Sequence, residues 1–430
     1  MIETTQKKTH IRFYIGLLMW MAIVINYLDR TVMSAAAPAI MKDLHIGPGE
    51  MGLIMSAFFW SYAAFQIPAG WLADRVGQRI CLAISVFWWS VATAVTALAK
   101  NPSTFILARV FMGTGEAGAY PCNAGVAAKW FPDKERGRIT ALFDSGSKFG
   151  TAFTMPLVAW IVAVYGWQTA FVICGVLGVF WVGAWWAYYQ DPEKHKYINS
   201  AELKYIRDGQ AKKEGIDNVQ PLKWYELLRY RNVIAMCLGF FMLNYAIYFF
   251  ITWFPTYLVQ ERGMTLMKMG WMAMLPPLAG IAAQWAGGIF TDYMYEKTGS
   301  LNKARKINLV GGMALATSIA FAGMTESDVM AITLLCISYG GLAFAASAIW
   351  CLPGDVAPRN MTSVLGGMQN CVSNCGGILG PIVTGYIIAT SGSFIPALVV
   401  SGGCCLAGAL IYLFLLKDIK PIEVEATKAS

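Results

Sequence analysis

Apolar residues along this chain come in long blocks separated by short polar breaks. Twelve such blocks can be placed, at 13–37, 51–73, 80–99, 103–128, 138–162, 168–189, 232–259, 268–294, 306–325, 330–353, 361–389 and 394–416. A helix rises about 1.5 Å per residue, and about 20 apolar residues cross the hydrocarbon core of a bilayer. Blocks of this length therefore predict membrane-spanning helices. The sixth and seventh are separated by a polar stretch rich in Lys, Glu and Asp, with room for one amphipathic helix. The predicted fold is an all-α polytopic membrane protein of 12 transmembrane helices. It comprises a six-helix half over 1–189, a linker over 190–231 and a second six-helix half over 232–430.

Composition strengthens this picture. Of the 430 residues, 57% are hydrophobic and 13% charged, against about 25% charged in a soluble domain. The net charge of +8 could suggest nucleic acid, but its placement explains it otherwise. If the N-terminus is inside, 26 of the 33 Lys and Arg fall in inside segments or at inside block ends and four in outside loops or at an outside block end, with three, Arg30, Arg109 and Lys148, deep within the blocks. By the positive-inside rule, both termini and the linker are cytoplasmic. The first apolar run is too long for the core of a cleavable signal and has no clean cleavage site. The ten Cys show no metal-ligand spacing, and no Ser or Cys nucleophile motif appears, which argues against a membrane enzyme. His10, His45 and His195 all lie outside the blocks. A titrating group at membrane depth would have to be a carboxylate, and no cofactor is called for. The chain is expected to be a monomer in lipid.

Charges inside the blocks are the exception to explain. Asn26-Tyr27-Leu28-Asp29-Arg30 puts an acid beside a guanidinium past the midpoint of the first block. A charge at membrane depth costs about 2.5–3.5 kcal/mol on insertion scales. Either the pair sits at a helix end and reaches headgroups, or it belongs to a binding or proton-transfer site inside the bundle. In the fourth block, Arg109 and Glu116 are seven residues apart and so share a helix face, about 10 Å from one another. They cannot bond directly, and Asp29 and Arg30 are the available partners. Gly113, Gly115 and Gly118 beside them allow another helix to come close. Tyr27 and Tyr62 can offer hydroxyls, or simply pack. Asn244 and Tyr245 interrupt the seventh block, and Gln369, Asn370, Ser373 and Asn374 fall on the eleventh. Such amides suit a polyol substrate, or bond one helix to another. Ser347 and Trp350 are weaker candidates. Lys148 follows Asp144 by one turn, so it is either half of an i,i+4 pair or an extra cation for a substrate.

The two halves repeat weakly. Gly70 to Asp74 at the end of the second block has a counterpart in Gly288 to Asp292 at the end of the eighth, and Pro156 has one in Pro381. Duplicated halves are a transporter plan. The run Gly70-Trp71-Leu72-Ala73-Asp74-Arg75-Val76-Gly77-Gln78-Arg79 resembles the G-x-L-x-D-R-x-G-R-R loop signature of the major facilitator superfamily, with Gln78 in place of one basic residue. In such a loop Asp74 can accept bonds from a neighbouring helix N-terminus, while Arg75 and Arg79 can pair across the half. Three further runs resemble the anion:cation symporter family within it: Asn26 to Arg30, Arg109 to Gly118, and Thr252-Trp253-Phe254-Pro255-Thr256-Tyr257-Leu258. Bacterial members of that family carry galactonate, glucarate, hexuronates, tartrate or aromatic acids. Animal relatives include the vesicular glutamate transporters and sialin.

The resemblance implies a bacterial inner-membrane symporter that works by alternating access on a small organic anion, with H+ as the coupled ion. A hexonate, hexuronate or aldarate is the first expectation. An aromatic or small hydroxy acid, an exchanger or a sensor of the same fold is the alternative. It further implies anion binding at Arg30 and Arg109, proton coupling at Asp29 and Glu116, and substrate contact at Tyr62. Lys148 departs from the uncharged polar residue usual near that place in sugar-acid carriers, which leaves the choice of anion open.

Overall fold

The computed structural model describes residues 8–210, 224–358 and 361–422. Part of the linker, 211–223, lies outside the described residues. The chain divides into two compact units, one of residues 1–46 and 57–217, the other of 47–56 and 218–430.

All described regular structure is helical. The first unit carries α1 (Ile11–Leu44), most of α2 (Pro48–Val76), α3 (Gln78–Thr96), α4 (Pro102–Glu116), α5 (Ala119–Trp130), α6 (Asp133–Tyr165), α7 (Trp167–Tyr188) and α8 (Ser200–Asp208). The second carries α9 (Arg231–Thr252), α10 (Phe254–Gln260), α11 (Leu266–Thr298), α12 (Leu301–Ala316), α13 (Ile319–Ala322), α14 (Asp328–Ile349), α15 (Leu352–Val356), α16 (Thr362–Ser391) and α17 (Ile395–Leu410). Nine helical stretches among the described residues are long and apolar enough to cross a membrane.

Four of the twelve apolar blocks are broken helices rather than single ones. Two of the breaks have an evident cause in proline: Pro255 and Pro353 sit in the first turns of α10 and α15, where a missing N–H is tolerated but the preceding helix cannot continue through it. The fourth block breaks between Glu116 and Ala119, in its glycine-rich run. α4 begins with a capping box in which Asn101 accepts from the Thr104 N–H, followed at once by Pro102.

In the first unit α1 packs on α6 and α7, and α3 on α4 and α7. Small residues permit the approach. A Cβ at Gly146 of α6 would lie 2.8 Å from the Trp20 carbonyl oxygen of α1, and one at Gly150 2.8 Å from that of Val24. The start of α1 is held by the chain after α7. Glu202 on α8 is fully buried and accepts from Thr9 Oγ1 (2.6 Å), from the N–H groups of Ile11 (3.1 Å) and Arg12 (3.3 Å), and from Arg12 Nη1 (2.9 Å). A carboxylate there meets the free N–H groups and the positive end of the α1 dipole together. Arg12 Nε also donates to Glu135 on α6 (3.0 Å), and Tyr205 donates to that same carboxylate (2.7 Å). His195 is buried against the rings of Trp130, Tyr188 and Tyr197.

Candidate functional site

The central cluster stands on α1, α2 and α4 of the first unit. Arg30 Nε donates to Glu116 Oε2 at 2.5 Å, and both side chains are buried, at 7% and 0% exposure. Glu116 can reach α1 because the helices beside it lie close. Gly113 presses α4 against the Phe58 backbone of α2, and a Cβ at Gly115 would lie 2.9 Å from the Trp89 nitrogen of α3. Ser61 of α2 adds a bond to the Val110 carbonyl at 2.7 Å.

Arg30 is then walled by aromatic faces. Its guanidinium carbon lies 4.9 Å from the Tyr27 ring centroid, 4.7 Å from Phe58 and 4.5 Å from Tyr62. Arg109 stands over the same Phe58 ring at 4.9 Å. The negative ring faces help to hold two guanidinium groups in one buried place, and one carboxylate lies between them. Arg109 donates to Met112 Sδ at 3.2 Å, a weak acceptor.

Several buried polar atoms here have no hydrogen-bond partner among the described residues. They include Arg30 Nη2, Arg109 Nε, Glu116 Oε1 and both carboxylate oxygens of Asp29. Native interiors seldom leave such groups unmatched, and each one asks for an explanation. The unmatched donors belong to guanidinium forks, whose geometry fits a carboxylate. Asp29, next to Arg30 in sequence, turns to another side of α1. It faces Trp89 of α3 and Cys174 of α7, with Glu116 and Arg109 within electrostatic reach. Trp89 Nε1 is turned toward it but stops short of hydrogen-bond geometry.

The structure thus brings Tyr27, Asp29, Arg30, Tyr62, Arg109 and Glu116 together. Arg109 and Glu116 do not pair with each other, as their spacing requires; Glu116 takes Arg30. Lys148 is not in contact with Arg30. Its ammonium lies 3.2 Å from Asp144, which also accepts from Tyr120 at 3.3 Å. Tyr120 in turn lies within electrostatic reach of Tyr27, whose ring faces Arg30.

The loop motif behaves differently from its expected ion pairing. α2 ends at Val76, and Gly77 turns the chain at φ +89°, a conformation that favours glycine. Arg79 makes its contacts with α7 rather than with a carboxylate. It donates to the Trp186 carbonyl (2.6 Å) and stacks on that ring at 5.0 Å, while Trp185 donates back to the Arg79 carbonyl (3.0 Å). The reason is local: Trp186 lies in the last turn of α7, whose carbonyls have no helical partner. Arg75 lies 5.0 Å from the Trp71 ring, and Asp74 stands exposed. Gly70 packs against Pro121 of α5.

In the second unit Tyr245 is buried and Asn244 half-buried on α9; Gln369 and Asn374 are buried and Asn370 is half-buried on α16. Tyr248 donates to Asn374 Oδ1 at 3.1 Å, and Gln369 Nε2 to the Ile349 carbonyl at 3.4 Å, leaving Gln369 Oε1 unmatched. Ser347 accepts from Asn308 at 3.3 Å in a buried knot with Thr291 and the Gly287 carbonyl, which gives it a structural place. Trp350 is exposed and packs on Phe240.

Sequence reasoning passed over Asn26, Phe58, Trp89, Tyr120 and Tyr248. Asn26 carried a signal, as an amide one turn before Arg30. Phe58 and Trp89 carried none, being aromatic residues among many in apolar helices.

Comparison with known proteins supplies the context. Residues 19–381 match the family model described as Major Facilitator Superfamily. The chain is 37% identical over 419 residues to the "D-galactonate transporter" of Escherichia coli O6:H1, covering 96% of this chain and 97% of that one. It is 34% identical over 439 residues to the "Probable galactarate/D-glucarate transporter GarP" of Escherichia coli K12, with 99% of both covered. It is also 31% identical over 417 residues to the "Hexuronate transporter" of Bacillus subtilis, covering 95% and 96%. Among solved structures, a bacterial homologue of the human lysosomal transporter Spinster aligns with a TM-score of 0.76 at 18% identity, covering 95% of this chain and 97% of that one. The D-xylose-proton symporter aligns with a TM-score of 0.74 at 12% identity, covering 95% and 98%. At those identities the structural likeness speaks for the fold.

Proposed function

We propose that this chain, which belongs to the Major Facilitator Superfamily, carries a small sugar acid across a bacterial inner membrane together with a proton. It is a transporter rather than an enzyme. The observation that carries the reading is the buried Arg30–Glu116 pair, with unmatched N–H groups on Arg30 and Arg109. A hexonate, hexuronate or aldarate supplies the carboxylate those groups lack, and relatives named for such substrates support the choice. Tyr62 is proposed to read a substrate hydroxyl. In the second unit Asn244, Tyr245, Gln369, Asn370 and Asn374 offer groups of the chemistry a polyol needs.

Coupling follows from competition for one cation. With no substrate, Glu116 is held as the anion by Arg30. A substrate carboxylate that takes Arg30 removes that stabilisation, and a carboxylate left buried without its partner favours the neutral, protonated form. Substrate and proton then bind in mutual support, which is the reciprocal linkage a symporter needs. Asp29 is the second acid of the cluster and is proposed to share in the proton transfer. Both termini and the linker are proposed to be cytoplasmic, from the distribution of Lys and Arg.

Purified protein in liposomes tests the proposal. With an acid exterior, labelled D-galactonate, D-glucarate or D-glucuronate should accumulate above its external concentration, and a protonophore should abolish the accumulation. If none of the three accumulates, or if accumulation survives the protonophore, the reading is wrong.

A further inference from the structure

Asn26 lies four residues before Arg30 on α1, so both side chains leave the same face of the helix. It is fully buried, and neither its amide nitrogen nor its amide oxygen has a partner among the described residues. A polar side chain at this depth calls for a reason. Its neighbour is the Glu116 carboxyl, toward which the amide is turned as a donor without completing a hydrogen bond, and Glu116 Oε1 is itself unmatched.

The groups facing Glu116 differ in what they can do. Arg30 from α1 and Arg109 from its own helix are donors only, so they serve the carboxylate anion and offer nothing to an O–H. Asp29 is within electrostatic reach but is turned toward Trp89 of α3 and Cys174 of α7. From α2, Phe58 and Tyr62 face Arg30. An amide both donates and accepts, so Asn26 can meet Glu116 in either protonation state.

We propose that Asn26 is a positioning residue for the coupled proton: its amide oxygen accepts the O–H of Glu116 once substrate has drawn Arg30 away. This rests on the proton-coupled reading above. The pair Asn26 and Arg30, one turn apart, then form two berths for one carboxyl group. Arg30 holds it charged and Asn26 holds it neutral. Exchange between them needs only a rotation of the Glu116 side chain, with the proton arriving on the oxygen that Arg30 does not hold.

The test uses the full-length protein in liposomes and, of D-galactonate, D-glucarate and D-glucuronate, the one that wild type accumulates best. Uptake is followed against external pH for wild type, Asn26→Leu and Asn26→Gln. Leu removes the acceptor at similar volume, so the pH midpoint should move about one unit toward acid, a tenfold weaker proton affinity. Gln retains an amide and should keep the midpoint closer to wild type than Leu does. If Asn26→Leu does not fold, Asn26→Ala takes its place in the same comparison. An unmoved midpoint, with or without a uniform loss of rate at every pH, overturns the role assigned to Asn26. A wild-type protein that shows no proton-driven accumulation overturns the underlying reading instead, and so separates the two failures.

Discussion

Replacing Lys148 by Gln separates two roles by size. Lys148 and Asp144 are 3.2 Å apart one turn along α6, with 21% and 39% of their side chains exposed. An i,i+4 pair of that kind contributes about 0.3–0.5 kcal/mol to its helix, and exposure on the Asp side places it at the lower end. Loss of the pair alone therefore shifts any equilibrium by about twofold or less. A charged hydrogen bond to a substrate carboxylate contributes about 1.5–3 kcal/mol, which is roughly ten- to a hundredfold in affinity. Tyr120, bonded to Asp144 and near Tyr27, sets this pair beside the ring that faces Arg30, so the substrate role is the one put to the test. We expect Lys148→Gln to weaken an aldarate at least tenfold more than a hexonate, because only the aldarate has a second carboxylate to lose. The assay is competition by unlabelled D-glucarate and D-galactonate against uptake of one labelled acid, on Lys148→Gln and on Lys148→Gln with Asp144→Asn. An unaltered ranking in both, with transport restored in the double variant, would refute the substrate role and leave a local ion pair.

Further outcomes follow from the same geometry. Arg30→Lys keeps the charge but loses the planar fork and its fit to three ring faces, so substrate affinity should fall at least tenfold with expression intact; titration by thermal shift checks this. Glu202→Ala leaves the Thr9 hydroxyl and the Ile11 and Arg12 N–H groups without their acceptor and Arg12 with Glu135 as its one carboxylate, a loss of about 3–5 kcal/mol for a broken buried pair. Its Tm in detergent should drop by several degrees, and an unchanged Tm would contradict the docking of α8. Burial holds the His195 pKa below the usual 6.5, against smaller opposing effects of the Tyr188 backbone and Glu202. The unfolded chain then binds the proton more readily, so this contribution to stability is full above 6.5 and declines as pH falls below it. Tm measured between pH 8 and 5 should fall at the acid end, and His195→Gln should flatten that slope.

How much was legible in the chain differs from element to element. The long blocks placed the helices because a bilayer demands about 20 apolar residues in a row, a signal no soluble fold imitates. The breaks at Pro255 and Pro353 were visible as residues but not as helix ends, since membrane helices often carry proline within them, as α6 does at Pro156. Arg30, Arg109 and Glu116 stood out because a charge in lipid is costly, and their convergence could be argued from helical spacing alone. Which acid would take Arg30 could not, because that depends on how closely Gly113 and Gly115 let α4 approach its neighbours. Asn26 was named only as the start of the run to Arg30 and given no role of its own, and Trp89 went unremarked, because a single amide or indole in an apolar helix most often packs. The Glu202 clamp on α1 was hidden by distance in sequence: about 190 residues separate the partners, and each looks like an ordinary charge near a helix end.

The most direct measurement of the central claim compares two assays on Glu116→Gln. The amide mimics the protonated acid at nearly the same size, so the substrate-loaded carrier should still shuttle. A carrier that cannot release and regain the proton, however, cannot use a pH gradient. Counterflow of labelled sugar acid should therefore remain within a few-fold of wild type, while accumulation driven by an acid exterior should disappear. Accumulation against the gradient by Glu116→Gln would contradict the account and pass the coupling role to Asp29.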